Sequence, residues 1–316
     1  MSDIIVTRAP TRIDFGGGWT DVPPYSDEMG GFVCNVAIAR YATVTLRRGA
    51  VDDGAPTSAA DRAIVDAATK RLGVSDVSIS VASDFPIGAG LGGSSAAGVA
   101  TVAALNVVRG EPLERSAMAE LSRDIEIEDV GIAGGRQDHY AAAYGGALGL
   151  RFGASGVEVA RIQLSEALRR ELEQRCVVVY TGQSRISGDT IDAVLGAYRD
   201  RDAHVLESLA GMRAGAAAMA RAMSDGSVDR LASLVAEQWT FQRSLHPAIP
   251  TPLIDEIIQR ATAAGALGAK ALGASGGGCV LAIAKAGRDD AVRRAVESLG
   301  PLLDFAIDEQ GVTQWQ

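Results

Sequence analysis

The stretch Asp84-Phe-Pro-Ile-Gly-Ala-Gly-Leu-Gly-Gly-Ser-Ser-Ala-Ala97 holds the residue types that bind phosphate. Glycines admit positive φ and let backbone N–H groups come close to a ligand. The small-residue run behind them predicts a helix from about Ser94 to about Val108. The first N–H groups of such a helix, together with its dipole, favour an anion. Ser94 and Ser95 add hydroxyl oxygens suited to a phosphate or a magnesium ion. Two other readings compete. One is a plain turn with serine as the helix cap. The other is a dinucleotide fingerprint, since Gly88, Gly90 and Gly93 fit G-x-G-x-x-G. Against the latter, Val77, Ile79 and Val81 alternate with small polar residues, whereas the central strand of a doubly wound sheet is continuously apolar. Pro86 also separates strand from turn, and the motif follows a long β-rich stretch. No G-x-x-x-x-G-K-[ST] occurs.

The elements that must position this turn read as α+β. Strands are expected at 4–6, 32–38 and 41–46, with GGG and PP turns between them, and at 77–81. Helices are expected at 60–72, 112–128 and 136–144, and strands at 146–152, 157–163 and 176–181. From about 186 to 265 the pattern is helical and Ala-rich. Strand 279–284, helix 287–298 and strand 302–307 close the chain in a βαβ-like segment. The 316 residues divide into a first unit, 1–180, and a helix-rich second unit, 181–316.

Composition narrows the function. A formal net charge of −9 repels polyanions, which argues against nucleic acid as a partner but leaves room for a local phosphate site. Cys34, Cys176 and Cys279 are scattered and lack metal spacing, as expected of buried thiols in a reducing cytosol. His139, His204 and His246 form no metal pattern. The start MSDIIVTRAP lacks a signal-peptide pattern, and no apolar run is long enough to span a membrane. A cytoplasmic monomer or homodimer is the expectation.

Three segments, in order and spread over most of the chain, carry a family resemblance. They are Arg8-Ala-Pro-Thr-Arg-Ile-Asp-Phe-Gly-Gly-Gly-Trp-Thr-Asp21, Pro86-Ile-Gly-Ala-Gly-Leu-Gly-Gly-Ser-Ser-Ala96 and Gly268-Ala-Lys-Ala-Leu-Gly-Ala-Ser-Gly-Gly-Gly-Cys279. Together they resemble the GHMP kinases, which include galactokinase, homoserine kinase, mevalonate kinase and phosphomevalonate kinase. The run from Asp14 to Tyr25 with Gly30 and Gly31, and the run Asp129-Val-Gly-Ile-Ala-Gly-Gly-Arg-Gln-Asp-His-Tyr140, are similar to the heptose 7-phosphate kinase and fucokinase branch. Galactokinases carry a Glu-His pair where this chain has Gly18 and Trp19, which argues against galactose.

The resemblance implies a two-lobed fold, with an N-terminal lobe like ribosomal protein S5 and a C-terminal α/β lobe. It implies ATP and Mg2+ as cofactors and a sugar or sugar phosphate as substrate. Pro86, Gly88, Ala89, Gly90, Leu91, Gly92, Gly93, Ser94 and Ser95 would cradle the nucleotide phosphates. Ser94 and Glu126 would hold the metal, with Glu128 and Asp129 as nearby alternatives to an acid that also suits a solvated helix face. Asp138 would orient or deprotonate the acceptor hydroxyl, although its position also suits a helix cap. Arg12 would neutralise charge on the phosphoryl group. Asp21, Trp19, Gly18, Arg136, Arg185, Gly276 and Gly277 would meet the substrate. A substrate that already bears a phosphate needs a second cationic site, for which Arg136, Arg185 and Lys270 are the candidates. The leading expectation is a kinase acting on the anomeric hydroxyl of a heptose 7-phosphate. A fucokinase-like enzyme for a free sugar, a NAD-dependent oxidoreductase and a silent sugar-binding regulator are the alternatives.

Overall fold

The computed structural model describes residues 4–49, 57–183 and 188–315. Among the described residues, nine strands form two sheets: β1 (Ile4–Gly16), β2 (Gly31–Arg48), β3 (Val77–Ser83), β4 (Ala147–Gly153), β5 (Gly156–Ile162), β6 (Cys176–Tyr180), β7 (Ala266–Ala271), β8 (Cys279–Ala284) and β9 (Thr313–Trp315). Eleven helices accompany them: α1 (Tyr25–Met29), α2 (Ala59–Leu72), α3 (Gly93–Arg109), α4 (Arg115–Asp124), α5 (Gln137–Tyr144), α6 (Glu166–Arg175), α7 (Gly188–Arg199), α8 (Ala203–Ser224), α9 (Val228–Ser244), α10 (Pro252–Ala264) and α11 (Asp289–Val296). A π-helical turn, Ile125–Asp129, follows α4 directly.

The first sheet runs β5-β4-β2-β1-β9, with β3 also paired to β2. The second runs β6-β8-β7, and every pairing in both sheets is antiparallel. The long β2 serves two partners on one side, β4 through its first half and β3 through its second. Its two expected strands, 32–38 and 41–46, are therefore one, because β1 pairs alongside almost its whole length and carries it past the irregularity at Pro10.

Helix α3 is the axis of the first core. Residues 95–106 are all buried, as a helix made of Ala, Gly, Val and Thr permits. Small side chains let it lie close on β1, where Thr7 Oγ1 donates to the Ala100 carbonyl at 2.7 Å. Helix α8 lies against the first sheet, mainly β2 and β1, and α9 against β7 of the second, burying Ala216, Met219, Leu231 and Val235 with Ile13, Phe15 and Leu281.

Several expectations shift in detail. The helix expected at 112–128 is α4 plus the π turn. The strand expected at 302–307 makes only two isolated bridges, Leu302 to Val179 and Ile307 to Ile38. It crosses from one sheet to the other, so neither sheet takes it up as a full strand. Strands β7 and β9 and helices α1 and α6 were not anticipated. Strand β6 pairs in the second sheet and β9 returns to β1, so the sheets are not separated by one cut at 180.

Candidate active site

The phosphate-type turn leads into α3 without a side-chain cap, from Gly92 in the left-handed region. Gly88, Gly90 and Gly92 have φ of 70°, 72° and 75°, a conformation that strongly favours glycine. The turn is held from two sides. The Ala89 carbonyl accepts from Cys279 N at 2.8 Å, and the Leu91 carbonyl accepts from Arg12 N at 3.0 Å. A Cβ on Gly90 would lie 2.7 Å from the Leu272 carbonyl, and one on Gly278 would lie 2.9 Å from the Ala89 carbonyl. The two glycine motifs are thus packed backbone to backbone, which is what their glycines permit.

Arg12 and Asp138, 126 residues apart, meet here. Arg12 Nε and Nη2 donate to the two carboxylate oxygens of Asp138 at 2.7 and 2.8 Å, and Nη1 donates to the Gly90 carbonyl at 2.6 Å. Such a fork fixes the acid in both position and plane. Arg12 is 4% exposed and Asp138 is 23% exposed, so the carboxylate is the member of the pair open to a ligand. Asp138 lies in the first turn of α5 but makes no capping bond. Its carboxylate turns to Arg12 instead, and a Cβ on Gly92 would lie 3.0 Å from it.

Asp21 performs the service that capping would have asked of Asp138. Its Oδ2 accepts from Gln137 N, at the start of α5, at 3.0 Å. It is buried against Gly135, where any Cβ would fall 2.0 Å from Oδ2. Burial pushes its carboxyl up to about 6; the Gln137 N–H opposes this, and the charges of Asp138 and Asp14 add to it. Gly18 packs on Asp14, since its Cβ would lie 2.5 Å from Asp14 Oδ2. Trp19 is buried at φ 81°, and its indole N–H has no partner among the described residues.

Glu126 sits in the π turn and is buried. It accepts from Ser94 Oγ, from Ser95 Oγ at 2.9 Å and from His139 Nε2 at 2.9 Å. Burial pushes its carboxyl up, but the His139 contact and the two serine hydroxyls outweigh this and leave it below the ordinary value. His139 is itself fixed by Ser122 Oγ at 3.0 Å from Nδ1. The alternatives Glu128 and Asp129 point outward, where both pair with Arg71.

Lys270 is fully buried. Its Nζ donates to the Asp14 carbonyl at 2.9 Å and to Asp14 Oδ2 at 3.0 Å. It is thus committed to Asp14 and is not available as the second phosphate cation that the sequence suggested. Arg136 is 13% exposed and lies 3.7 Å from Asp27, with Nε unpartnered among the described residues. Arg185 falls outside the described residues. Gly276 N donates to the Ile249 carbonyl at 2.9 Å, and Gly277 packs on the Gln183 carbonyl. A cavity of about 520 Å3 lies elsewhere, between β4, β5 and α8, and shares no residue with this cluster.

Sequence reasoning gave no role to His139 or Asp14. The spacing of Ser122 and Glu126, four apart and hence on one helical face, was a usable signal for a shared partner. Nothing local announced that Lys270 would reach Asp14 across 256 positions.

The GHMP kinases N terminal domain matches residues 59–146, and the GHMP kinases C terminal domain matches residues 217–302, together more than half of the chain. The chain belongs to the GHMP kinase family. A D-glycero-alpha-D-manno-heptose 7-phosphate kinase of Campylobacter jejuni is 27% identical over 99% of both chains. The bifunctional fucokinase/GDP-fucose pyrophosphorylase of Arabidopsis thaliana is 27% identical over 87% of this chain and 29% of its own length. A solved D-glycero-D-manno-heptose 1-phosphate kinase from Bacteroides thetaiotaomicron has the same fold, with a TM-score of 0.78 and 24% identity over 99% of both chains. The protein is a kinase of the α+β GHMP fold, a phosphotransferase with an alcohol acceptor. The oxidoreductase reading falls with this. Strand β3, before the glycine turn, pairs antiparallel with β2 instead of lying in a parallel sheet. Among the described residues, no helix is long and apolar enough to cross a membrane.

Proposed function

We propose that the protein uses ATP and Mg2+ to phosphorylate the anomeric hydroxyl of a heptose 7-phosphate. The observation that carries this reading is the Arg12–Asp138 fork, seated beside Gly92 at the uncapped start of α3. Phosphoryl transfer depends mainly on positioning and charge neutralisation. The backbone of 86–95 and the start of α3 receive the nucleotide phosphates. Asp138 receives or orients the proton of the attacking hydroxyl. Arg12 spends three of its five N–H groups on Asp138 and Gly90, so its work is to hold the acid to the phosphate turn and to lend positive charge there.

Ser94 and Glu126 suit a magnesium ion, because both offer hard oxygen and already touch. Among the described residues, no group of three or more His, Cys, Asp or Glu could hold a metal. That is compatible with an ion completing its shell from nucleotide oxygens and water. When bound, the ion would offset the charge of the nucleotide phosphates.

The heptose kinase likeness over 99% of the chain supports the substrate. Arg136, partly open and incompletely paired, is the described cation best suited to a sugar's existing phosphate. The fucokinase likeness supports a second reading, a free sugar. A coupled ATP assay over heptose 7-phosphates, fucose and other free sugars tests both. The first reading expects the highest kcat/KM on a heptose 7-phosphate and a rise in KM with Arg136→Ala. A clear preference for a free sugar, indifferent to Arg136→Ala, moves the assignment to the second.

A further inference from the structure

Four charged side chains alternate in sign from the second sheet to the acceptor acid: Lys270, Asp14, Arg12 and Asp138. The outer contacts are direct, Lys270 to Asp14 at 3.0 Å and Arg12 to Asp138 at 2.7 Å. The middle step is set by β1. Residues 12 and 14 are two apart with no register shift between them, so they project from the same face. Lys270, Asp14 and Arg12 are all buried. Asp14 Oδ1 has no hydrogen-bond partner among the described residues, and two N–H groups of Arg12 lie outside its three bonds.

We propose that Lys270 is a positioning residue for phosphoryl transfer: by holding the Asp14 carboxylate, it leaves Arg12 free to grip Asp138. The inference rests on the reading of Asp138 as the group that meets the acceptor hydroxyl. Without the Lys270 cation, Asp14 becomes an uncompensated buried charge, a strongly unfavourable state. The guanidinium next along the strand is the cation within reach. Arg12 swings towards Asp14, the fork opens, and Asp138 loses its fixed plane. The nucleotide turn loses the Arg12 side-chain bond to the Gly90 carbonyl but keeps its backbone bonds, Cys279 N to Ala89 O and Arg12 N to Leu91 O, which do not involve these side chains.

The test uses the full-length enzyme on whichever sugar it phosphorylates. Lys270→Met is expected to lower kcat at least about tenfold, with KM for ATP changed less than about threefold. Adding Asp14→Asn to Lys270→Met removes the stranded charge and is expected to return kcat to within about threefold of wild type. A purely structural role would instead show as a lower Tm in the single variant, restored in the double one, with kcat per folded molecule at the wild-type value in both. If Lys270→Met does not fold, Lys270→Gln is read by the same criteria. A wild-type kcat in the folded single variant, or a double variant as slow as the single one, overturns the proposal. Asp138→Asn is run alongside. If it leaves turnover intact, the underlying reading of Asp138 fails; if it abolishes turnover while Lys270→Met does not, only the positioning role fails.

Discussion

A carboxylate held by two guanidinium hydrogen bonds can be made neutral with little change of shape, which gives Asp138→Asn a sharp meaning. We expect turnover to fall about 100-fold or more while ATP binding, followed by titration, is retained. Glu126→Gln keeps its neighbours Ser94, Ser95 and His139 and loses the charge; we expect a higher magnesium requirement in turnover assays and little change in Tm. Asp21 gives a pH signature. Its folded-state pKa of about 6 stands above the ordinary 3.8, so the folded protein favours the protonated form. The resulting stability is fully present below pH 4 and is lost as pH rises to about 6. The loss is on the order of 3 kcal/mol. Asp21→Asn removes this dependence, so its Tm should gain on that of wild type between pH 4 and 6 and run parallel above. The identities of these residues were legible in the motifs. Their pairings were not, because Arg12–Asp138 and Lys270–Asp14 join positions 126 and 256 apart, and only the fold brings them together.

Two elements owe their form to close approach. The π turn after α4 inserts an extra residue per turn, and such insertions recur at functional sites. Here it carries Glu126 inward to the start of α3, while Glu128 and Asp129 stay on the outside with Arg71. A helix expected through 112–128 has the right residues but misses this turn, because hydrophobic periodicity cannot register one wide loop of backbone. The phosphate turn was legible in its glycines, yet their reasons differ. Sequence alone suggests that a side chain at Gly90 would enter the phosphate site. In the structure it strikes the Leu272 carbonyl of the other glycine motif. Gly90→Ala should therefore lower Tm and ATP affinity together, in thermal melts and nucleotide titration on the same sample. A substitution that weakens ATP binding without touching Tm would mean that the loops separate without cost.

At the scale of the molecule, several strands of the first sheet and the Ala-rich helices were readable from alternation and composition. The stitching between sheets was not. Residues 301–308 touch β6 through Tyr180 N to Pro301 O and Leu303 N to Val178 O, and β2 through Ala39 N to Ala306 O and Asp308 N to Ala37 O, contacts too brief to show a strand pattern. Asp308 then gathers Tyr41 Oη at 2.9 Å, Gln310 N at 3.0 Å and Gly311 N at 2.7 Å. Asp308→Ala should cost about 2–4 kcal/mol, seen as a lower urea midpoint, with kcat per folded molecule unchanged. The return of β9 to β1 also bears on how the chain is made. Val6 lies opposite Trp315, so β1, once it leaves a ribosome, waits for a partner about 300 residues behind it. At usual elongation rates, that interval is roughly 15–60 s. During it, one edge of the nascent sheet stands open to solvent, to chaperones and to neighbouring chains on the same polysome.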